Sequence, residues 1–401
     1  MTDLEQFLSS ANNPENRTWQ KPYEFVLENG RNEPLEALVD ANQVREVIDP
    51  IDEIAEELSE YRFPHTKNDQ HTRRALQKEI KEQGGDFGKW FYFPWSQSLV
   101  RYPEQQDHLA LRTSRYRQLY TDDEINRMYH DRHVVALGMS VGSNIVDELV
   151  RSGKGDEFTL ADFDTLSPSN LGRIRSHMGD VGLRKVDVMA KKISEIDPYI
   201  VQHHLHGGYD GGTDDFLRAR HVDVLYEEID DMERKAEVRR IARKIGLAVL
   251  MVTDNGERSI LDVERYDEEN NTEPFNGKIS EEEFEDLLSK NLTEKQIRAL
   301  LIKIAGGMKY ISPRMVQSAL DIDKTISGIP QLASTASAGA ALASFATGEL
   351  LLGRRLSSGT YAQTAPRTTL HAGRPTRYAD DIVTYAKFAK TLLPDRSSKK
   401  R

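Results

Sequence analysis

The stretch HVVALGMSVGS, residues 133–143, decides the fold class, because a short apolar run leads directly into a turn of small residues. We expect a strand over His133–Leu137, a turn over Gly138–Ser143 and a helix over Asn144–Ser152. The next apolar run, Phe158–Ala161, predicts a second strand. Strand, glycine turn, helix and strand in this order are typical of a parallel sheet.

The same alternation continues along the chain and predicts an α/β fold, with helices on both faces of a parallel sheet. The remaining predicted elements are helices over Asp187–Ile196 and Ala236–Ile245 and strands over Val201–His206, Val222–Glu227 and Ala248–Val252. In such sheets ligands bind at the carboxyl ends of the strands. Functional residues are therefore expected directly after the predicted strands.

Shifts in composition predict three parts. Residues 1–112 are expected to form a smaller N-terminal α+β accessory module for clamping or dimerisation, residues 113–357 the α/β domain, and residues 358–401 a C-terminal extension with a flexible basic tail. Within the first part, the helical spacing of apolar residues predicts a helix over Ala41–Tyr61. An aromatic stretch predicts two short strands joined by a turn near Pro94.

The charge and composition exclude several classes of function. The chain has 401 residues, 54 Lys plus Arg against 65 Asp plus Glu, a formal charge of −11 and no cysteine. The absence of cysteine removes disulfides, Cys-rich zinc sites, iron–sulfur ligation and thiol-based catalysis. The negative charge disfavours nucleic acid as a partner, because phosphate binding needs a basic face.

We expect a cytoplasmic protein without a membrane partner. The N-terminal segment lacks the cationic start and apolar run of a signal peptide. The most apolar long window, Ser334–Leu352, consists mainly of Ala, Ser, Thr and Gly and contains Glu349, so it is too polar to span a bilayer. This composition is more typical of a helix that packs tightly inside the protein.

Three interpretations of the glycine turn are open at this point. GMSVG, residues 138–142, matches G-x-S-x-G, the nucleophile elbow of hydrolases. Ser140 would then be the nucleophile, with Asp254 and His371 as candidate partners. The turn is also a candidate phosphate-binding loop, or only a tight turn that needs small residues. Asp162 lies 24 positions after the first glycine, at the end of the next strand, where an acid binds ribose hydroxyls, so nucleotide binding is favoured.

The run DFDTLSPSNLGR, residues 162–173, resembles the D-x-D-x-V-x-x-S-N-L-x-R signature of the ThiF/MoeB/HesA adenylyltransferases, whose superfamily includes ubiquitin-activating enzymes. GLRKV at 182–186 resembles the G-x-x-K-V segment of this family. IDP at 196–198 stands where relatives often have I-N-P. The resemblance covers residues 112–265 clearly, continues loosely to about residue 355, and implies a Rossmann-like sheet.

The resemblance implies that residues 113–357 form a nucleotide-binding adenylation domain with ATP and Mg²⁺ as cofactors. The residues implied in nucleotide binding are Gly138, Ser140, Gly142, Asp162, Asp164, Asn170, Arg173, Lys185, Arg115 and Arg117. Asp162 would hold the ribose, and Asn170 and Arg173 would contact the phosphates. Lys185 would stabilise the charge that develops on the α-phosphate and the leaving group.

The catalytic and metal-binding residues follow from the same resemblance. Arg173, Lys185 and Asp230 are the catalytic candidates. Asp230 is also the candidate Mg²⁺ ligand, within an EEIDD stretch that departs from the T-D-N of relatives. Arg115 or Arg117 would reach the γ-phosphate from the partner subunit, which implies a homodimer.

The implied function is ATP-dependent adenylation of a carboxylate, the C-terminus of a small protein or peptide, with release of pyrophosphate. Without cysteine, this chain cannot go on to form a thioester. Met139 and Ser140 replace glycines of the family's loop, and side chains there would crowd a pyrophosphate. A non-catalytic nucleotide- or partner-binding scaffold of the same fold is therefore an alternative, as is a serine hydrolase using Ser140.

The sequence HHLH, residues 203–206, raises the question of a metal site. Alternation along a strand places His204 and His206 on one face and His203 on the other. Partial burial with hydrogen bonds is favoured over metal binding for these histidines.

Overall fold

A small sheet precedes the main sheet in the computed structural model, which describes residues 4, 14–66, 69–82, 87–269, 271–307, 310–322, 324–364, 383 and 386–388. The small sheet has the order β1-β3-β4-β2. Its strands are β1 (Tyr23–Phe25), β2 (Glu46–Ile48), β3 (Lys89–Phe93) and β4 (Ser98–Tyr102), and the helices around them are α1 (Glu33–Asp40), α2 (Ile51–Arg62), α3 (Gln70–Glu82) and α4 (Gln105–Arg112). The two strands predicted around Pro94 are confirmed as the antiparallel pair β3 and β4.

The helix predicted over Ala41–Tyr61 is wrong in its first part. Strand β2 lies within that range, and α2 begins only after Pro50, which occupies the position just before the helix. Proline has no N–H and a fixed φ, so it is tolerated at the start of a helix but interrupts one from within.

The main sheet has seven strands in the order β11-β10-β9-β8-β5-β6-β7. The strands are β5 (His133–Leu137), β6 (Glu157–Ala161), β7 (Val201–Leu205), β8 (Val224–Glu227), β9 (Ala248–Asn255), β10 (Arg258–Arg265) and β11 (Gly359–Thr364). Strands β5 to β9 are parallel, which confirms the α/β prediction, whereas β10 and β11 add antiparallel partners. The order of the parallel strands is that of a Rossmann-like sheet.

Helices cover both faces of the main sheet, as predicted. They are α5 (Asp122–Tyr129), α6 (Val141–Arg151), α7 (Lys185–Ile196), α8 (Gly211–Ala219), α9 (Met232–Ile245), α10 (Glu281–Leu288), α11 (Glu294–Ile304), α12 (Pro313–Asp321) and α13 (Ala333–Leu351). Alternation in β5 divides the core, because Val134 and Ala136 pack in the cluster with α6, α7 and α13, while Val135 and Leu137 pack in the cluster with α8 and α9. In the part of the chain that the structure describes, no helix combines the length and apolarity needed to cross a membrane.

Helix α13 packs its small residues directly against the main sheet and α6. Ala336, Gly339, Ala340 and Ala343 are buried along it. A Cβ added to Gly339 would overlap Cγ1 of Val252 on β9. The expected tightly packed internal helix is therefore confirmed, and the small side chains are what permit the close approach.

A buried charge network ties β8, α9 and β10 together. Arg239, fully buried on α9, donates to Glu227 Oε2 at 2.6 Å and to Glu264 Oε2 at 2.8 Å. Lys235 Nζ contacts Glu227 Oε1 at 3.0 Å, so two carboxylates face two cations. Burial tends to raise the pKa of Glu227, but Lys235 and Arg239 outweigh it and hold the pKa below its ordinary value.

Replacing Gly339 with alanine should destabilise the protein by about 1–3 kcal/mol, because the new methyl group meets the stiff β-branched side chain of Val252. The free energy of unfolding from urea titration measures this change. Gly348→Ala in the same helix is the matched control. Its Cβ would meet the flexible end of Lys154 at 3.3 Å, and alanine favours a helix by about 1 kcal/mol. Equal losses in the two variants would contradict the packing argument.

Candidate functional site

The candidate site lies where the strand order of the main sheet reverses. From β5 the sheet continues through β6 and β7 on one side and through β8 and β9 on the other, so the carboxyl ends of β5 and β8 border a crevice. Gly138 directly follows β5 with φ +97°, and a Cβ there would overlap the carbonyl oxygen of Glu228. Only glycine permits this turn and this approach.

The turn from β5 into α6 differs from the expectation at Met139. Its side chain is fully buried in the core, so the predicted crowding of a pyrophosphate by Met139 is wrong. Ser140 stands just before α6, and Gly142 is buried in the first turn of that helix. The helix begins at Val141, three residues earlier than predicted, because the turn is completed by Ser140.

Asp162, which is 8% exposed, fixes this turn by using both carboxylate oxygens. Oδ2 accepts from the backbone N–H of Met139 at 2.6 Å, and Oδ1 accepts from the backbone N–H of Asp164 at 2.7 Å. Lys185, the first residue of α7, places Nζ 2.6 Å from Asp164 Oδ2 and 3.8 Å from Asp162 Oδ2. The structure thus brings together the two acids and the lysine that the sequence singles out.

Arg173 and Asn170 stand on the loop after β6 and contribute differently. The Arg173 Nε–H donates to Ser140 Oγ at 3.1 Å, and the Arg173 carbonyl accepts from Asn144 Nδ2 at 3.0 Å. This places the guanidinium beside the start of α6. The Asn170 side chain accepts from the backbone N–H of Ser167 at 3.0 Å, so its oxygen stabilises the loop itself.

Among the described residues, those predicted for metal and partner-subunit contacts have no hydrogen bond or ion pair with this cluster. Asp230 is exposed after β8, and its neighbour Asp231 caps α9 by accepting from the Arg234 N–H at 2.9 Å. Arg117 donates to the Tyr61 carbonyl at 3.2 Å and pairs with Asp122 at 3.1 Å. Arg115 is exposed in the short helical turn Ser114–Tyr116. Within one chain, Arg117 therefore contacts Tyr61 and Asp122 and not the residues that follow β5, β6 and β8.

Sequence reasoning gave no role in a nucleotide site to two acids at the crevice, Glu228 and Asp254, and considered Asp254 only as a partner of Ser140 in a hydrolase. Glu228 Oε1 accepts from the Val252 N–H at 2.7 Å, and burial raises the pKa of Glu228. Both carboxylate oxygens of Asp254 are buried, and neither has a hydrogen-bond partner among the described residues. Burial raises the pKa of Asp254 to about 6, although Arg173 acts in the opposite direction. The sequence signal that could have indicated them is the presence of an acid at the end of each of two adjacent parallel strands, β8 and β9.

The hydrolase interpretation gains no support from this geometry. The recorded partner of Ser140 Oγ is the Arg173 guanidinium, which donates a hydrogen bond and cannot accept a proton. His371, the candidate base, lies outside the described residues.

The comparison with protein families matches residues 116–292 to the ThiF family. This finding confirms the resemblance drawn from the D-x-D and S-N-L-x-R pattern. The matched segment begins before α5 and extends to the residues between α10 and α11.

Two curated relatives share part of their length with this chain. The uncharacterized Mycobacterium tuberculosis protein MT1398 is 32% identical over 288 residues, which are 72% of this chain and 39% of that protein. The tRNA threonylcarbamoyladenosine dehydratase of Haemophilus influenzae is 27% identical over 141 residues, 35% of this chain and 53% of the relative. The chain therefore spans about two fifths of the first relative's length and about half of the second's.

A solved structure of Escherichia coli MccB with AMPCPP and MccA is 14% identical to this chain, with a TM-score of 0.45. The superposition covers 78% of this chain and 84% of that one. A likeness at this level carries no argument about function.

Replacing Asp254 with asparagine should stabilise the protein at pH 8 but much less at pH 4. The folded-state pKa of about 6 lies above the ordinary 3.8, so wild-type stability falls as pH rises through this window. The expected gain at pH 8 relative to pH 4 is about 3 kcal/mol, from about 1.4 kcal/mol per pH unit. Urea titrations at both pH values measure it. Asp215→Asn, at an exposed position of α8, serves as the control. An increase in the free energy of unfolding that is the same at both pH values would contradict the assignment of the cost to burial of the ionised Asp254 carboxylate.

Proposed function

We propose that the ThiF-type segment of this chain binds ATP and adenylates a carboxylate. The observation that carries the proposal is the convergence of Asp162, Lys185 and Arg173 on the turn between β5 and α6. Binding of a nucleoside triphosphate requires an acid for the ribose, and cations and a helix N-terminus for the phosphates. These groups meet here at the switch point of a parallel sheet. The match of residues 116–292 to the ThiF family supports the same conclusion.

Each residue of the cluster has a defined task in this proposal. Asp162 already accepts two backbone N–H groups, and the remaining lone pairs of its oxygens are available to ribose hydroxyls. Lys185 and Arg173 provide positive charge for the phosphates. The substrate carboxylate attacks the α-phosphorus, the bond from that phosphorus to the bridging oxygen breaks, and pyrophosphate leaves with the electron pair. Positioning and charge stabilisation supply the rate enhancement.

Mg²⁺ is compatible with the oxygen-rich surroundings of the crevice. Magnesium binds through one or two carboxylates together with phosphate oxygens. Asp230 offers an exposed carboxylate after β8, and Asp254 adds a buried carboxyl group whose oxygens have no partner among the described residues. We assign Asp230 as the contact to the ion, which would supply neutralisation of phosphate charge.

The proposed substrate is the free C-terminus of a small protein or peptide. The resemblance to ubiquitin-activating enzymes supports this class of substrate. The proposed location of the protein is the cytoplasm. The net charge of −11 argues against tRNA, on which the Haemophilus influenzae relative acts by name. Because the chain has no cysteine, the acyl-adenylate must be attacked by a nucleophile from the substrate, a small molecule or another protein.

Lys185→Ala should weaken the binding of ATP with Mg²⁺ by about tenfold, since one positive charge beside the phosphates is lost. Isothermal titration of the full chain with ATP and Mg²⁺ measures the dissociation constant. Lys244→Ala, at an exposed position near the end of α9, is the matched control and should bind as the wild type does. A folded wild-type chain that binds no ATP would overturn the proposal.

A non-catalytic scaffold is the second candidate, and Glu228 is the observation that favours it. A Cβ built on Gly142 would lie 3.6 Å from Glu228 Cγ, so this acid lies against the start of α6, where phosphates would bind. An ionised carboxylate there opposes a phosphate of the same sign. Burial raises the pKa of Glu228, so this repulsion opposes phosphate binding only at a pH above that raised value.

Release of pyrophosphate separates the two candidates. An adenylating enzyme should release pyrophosphate from ATP with a pool of peptides bearing free C-terminal carboxylates, and not with the same peptides amidated at the C-terminus. The coupled colorimetric assay for pyrophosphate measures this difference. A chain that binds ATP but releases no pyrophosphate from either pool would favour the scaffold.

We further propose that residues 1–112 form an accessory module and that the chain is a homodimer in which Arg115 completes the partner subunit's site. Among the described residues the side chain of Arg115 has no hydrogen bond or ion pair, whereas the Arg117 side chain contacts Tyr61 and Asp122. Equal mixing of Arg115→Ala and Lys185→Ala subunits should restore about one quarter of wild-type activity, because half of the dimers carry one intact site. A monomer by light scattering, or no restored activity, would contradict this arrangement.

A further inference from the structure

Three side chains with metal-binding atoms meet at the outer edge of the main sheet. His204 lies on β7, His206 directly follows that strand, and Asp187 reaches them from the first turn of α7. One ligand atom from each of the three residues lies within 4.8 Å of the other two. His203 instead pairs with Glu157 at 2.7 Å, which confirms the predicted alternation along the strand. The third ligand comes from a helix, so the HHLH pattern alone could not indicate the cluster.

The cluster combines a buried acid with an accessible histidine. Asp187 is only 3% exposed, and its Oδ1 lies 2.9 Å from His206 Nε2. The side chain of His206 is 42% exposed, so the ring can move and solvent can reach the site. Four-coordinate zinc needs ligand atoms roughly 3.3 Å apart, as follows from bonds of about 2.0–2.1 Å. The three ligand atoms, which lie within 4.8 Å of one another, would have to draw closer around a bound ion to reach this spacing.

The orientation of the His204 ring is already set by neighbouring groups. His204 Nε2 lies 3.2 Å from Gln202 Oε1, and Gln202 Nε2 donates to Ser194 Oγ at 3.0 Å. The Trp19 indole N–H also donates to Ser194 Oγ, at 3.1 Å, while the Trp19 ring packs edge-on against His204 at 4.3 Å. Donation by His204 Nε2–H to Gln202 leaves the Nδ1 lone pair for a metal. Such a second hydrogen bond is the usual support of a metal-binding histidine.

We propose that Asp187, His204 and His206 bind a divalent transition-metal ion of the Zn²⁺ class. Two imidazole nitrogens and one carboxylate oxygen form a donor set that zinc accepts, with the fourth position left to water. Mg²⁺ and Ca²⁺ prefer sets made of oxygen atoms and are disfavoured here. The site is separate from Asp230 and does not depend on the proposed adenylation.

The bound ion would join two elements that border the candidate active site. Helix α7 carries Asp187 two residues after Lys185, and β7 ends beside β6, which leads into Asp162. Without the ion, the recorded polar link between Asp187 and this end of β7 is the single contact with the exposed His206. Zinc would therefore hold the beginning of α7 against the end of β7.

Isothermal titration of the full chain with ZnCl₂ tests the proposal, with bound zinc counted by elemental analysis after gel filtration. One zinc per chain is expected, and His206→Ala and the His204→Ala/His206→Ala pair should lower the affinity at least tenfold. Titration of the same chain with MgCl₂ should give no heat of binding at this site. Because His206 is exposed, its replacement should leave the fold intact, which circular dichroism verifies.

His203→Ala is the matched control, since His203 belongs to the same strand but faces Glu157 on the other side. It should bind zinc as the wild type does. Failure of the folded wild-type chain to bind zinc stoichiometrically would overturn the proposal. Equal zinc affinity of the wild type and the double variant would do the same. Neither outcome bears on ATP binding, which is measured without zinc.

Discussion

The carboxylate of Asp162 is the constraint on which the geometry of the crevice depends. It holds the N–H of Met139 at the end of β5 and the N–H of Asp164 after β6, so one side chain sets the positions of two loops. Lys185 then approaches both acids from the start of α7. Because this carboxyl group bonds to backbone N–H groups, it stabilises the shape of the site whether or not a nucleotide is bound.

Positively and negatively charged side chains both border the crevice. Arg173 and Lys185 lie beside the β5 turn, while Glu228 and Asp254 lie at the ends of β8 and β9. Asp254 is stabilised in its neutral form by burial, and Arg173 partly offsets that effect. The β5 side of the crevice therefore holds two cations together with Asp162 and Asp164, while the β8 and β9 side holds two acids whose pKa values are raised. Both cations thus stand out locally in a chain whose net charge is −11.

The sequence was sufficient for the parallel part of the sheet and for the cluster around Asp162. An apolar run followed by a glycine or an acidic residue predicts where a strand ends. In a parallel sheet these carboxyl ends lie at the same edge. The hairpin of β9 and β10 was missed, although Asn255 and Gly256 carry the turn signal for it. Glu228 was not predicted, and Asp254 was considered only for a hydrolase, because the importance of both acids comes from burial, which a local sequence pattern does not report. No local pattern indicated that Met139 would turn inward.

The network of Arg239 with Glu227, Glu264 and Lys235 has a consequence for how this sequence can change over time. Two acids and two bases are enclosed together, so their charges balance only as a set. Loss of any one member leaves an uncompensated charge in the interior, at a cost of about 3–5 kcal/mol. Joint replacement by apolar residues carries no such cost. Homologous sequences should therefore keep all four residues or exchange them together, which makes coordinated substitution the expected evolutionary record of this network.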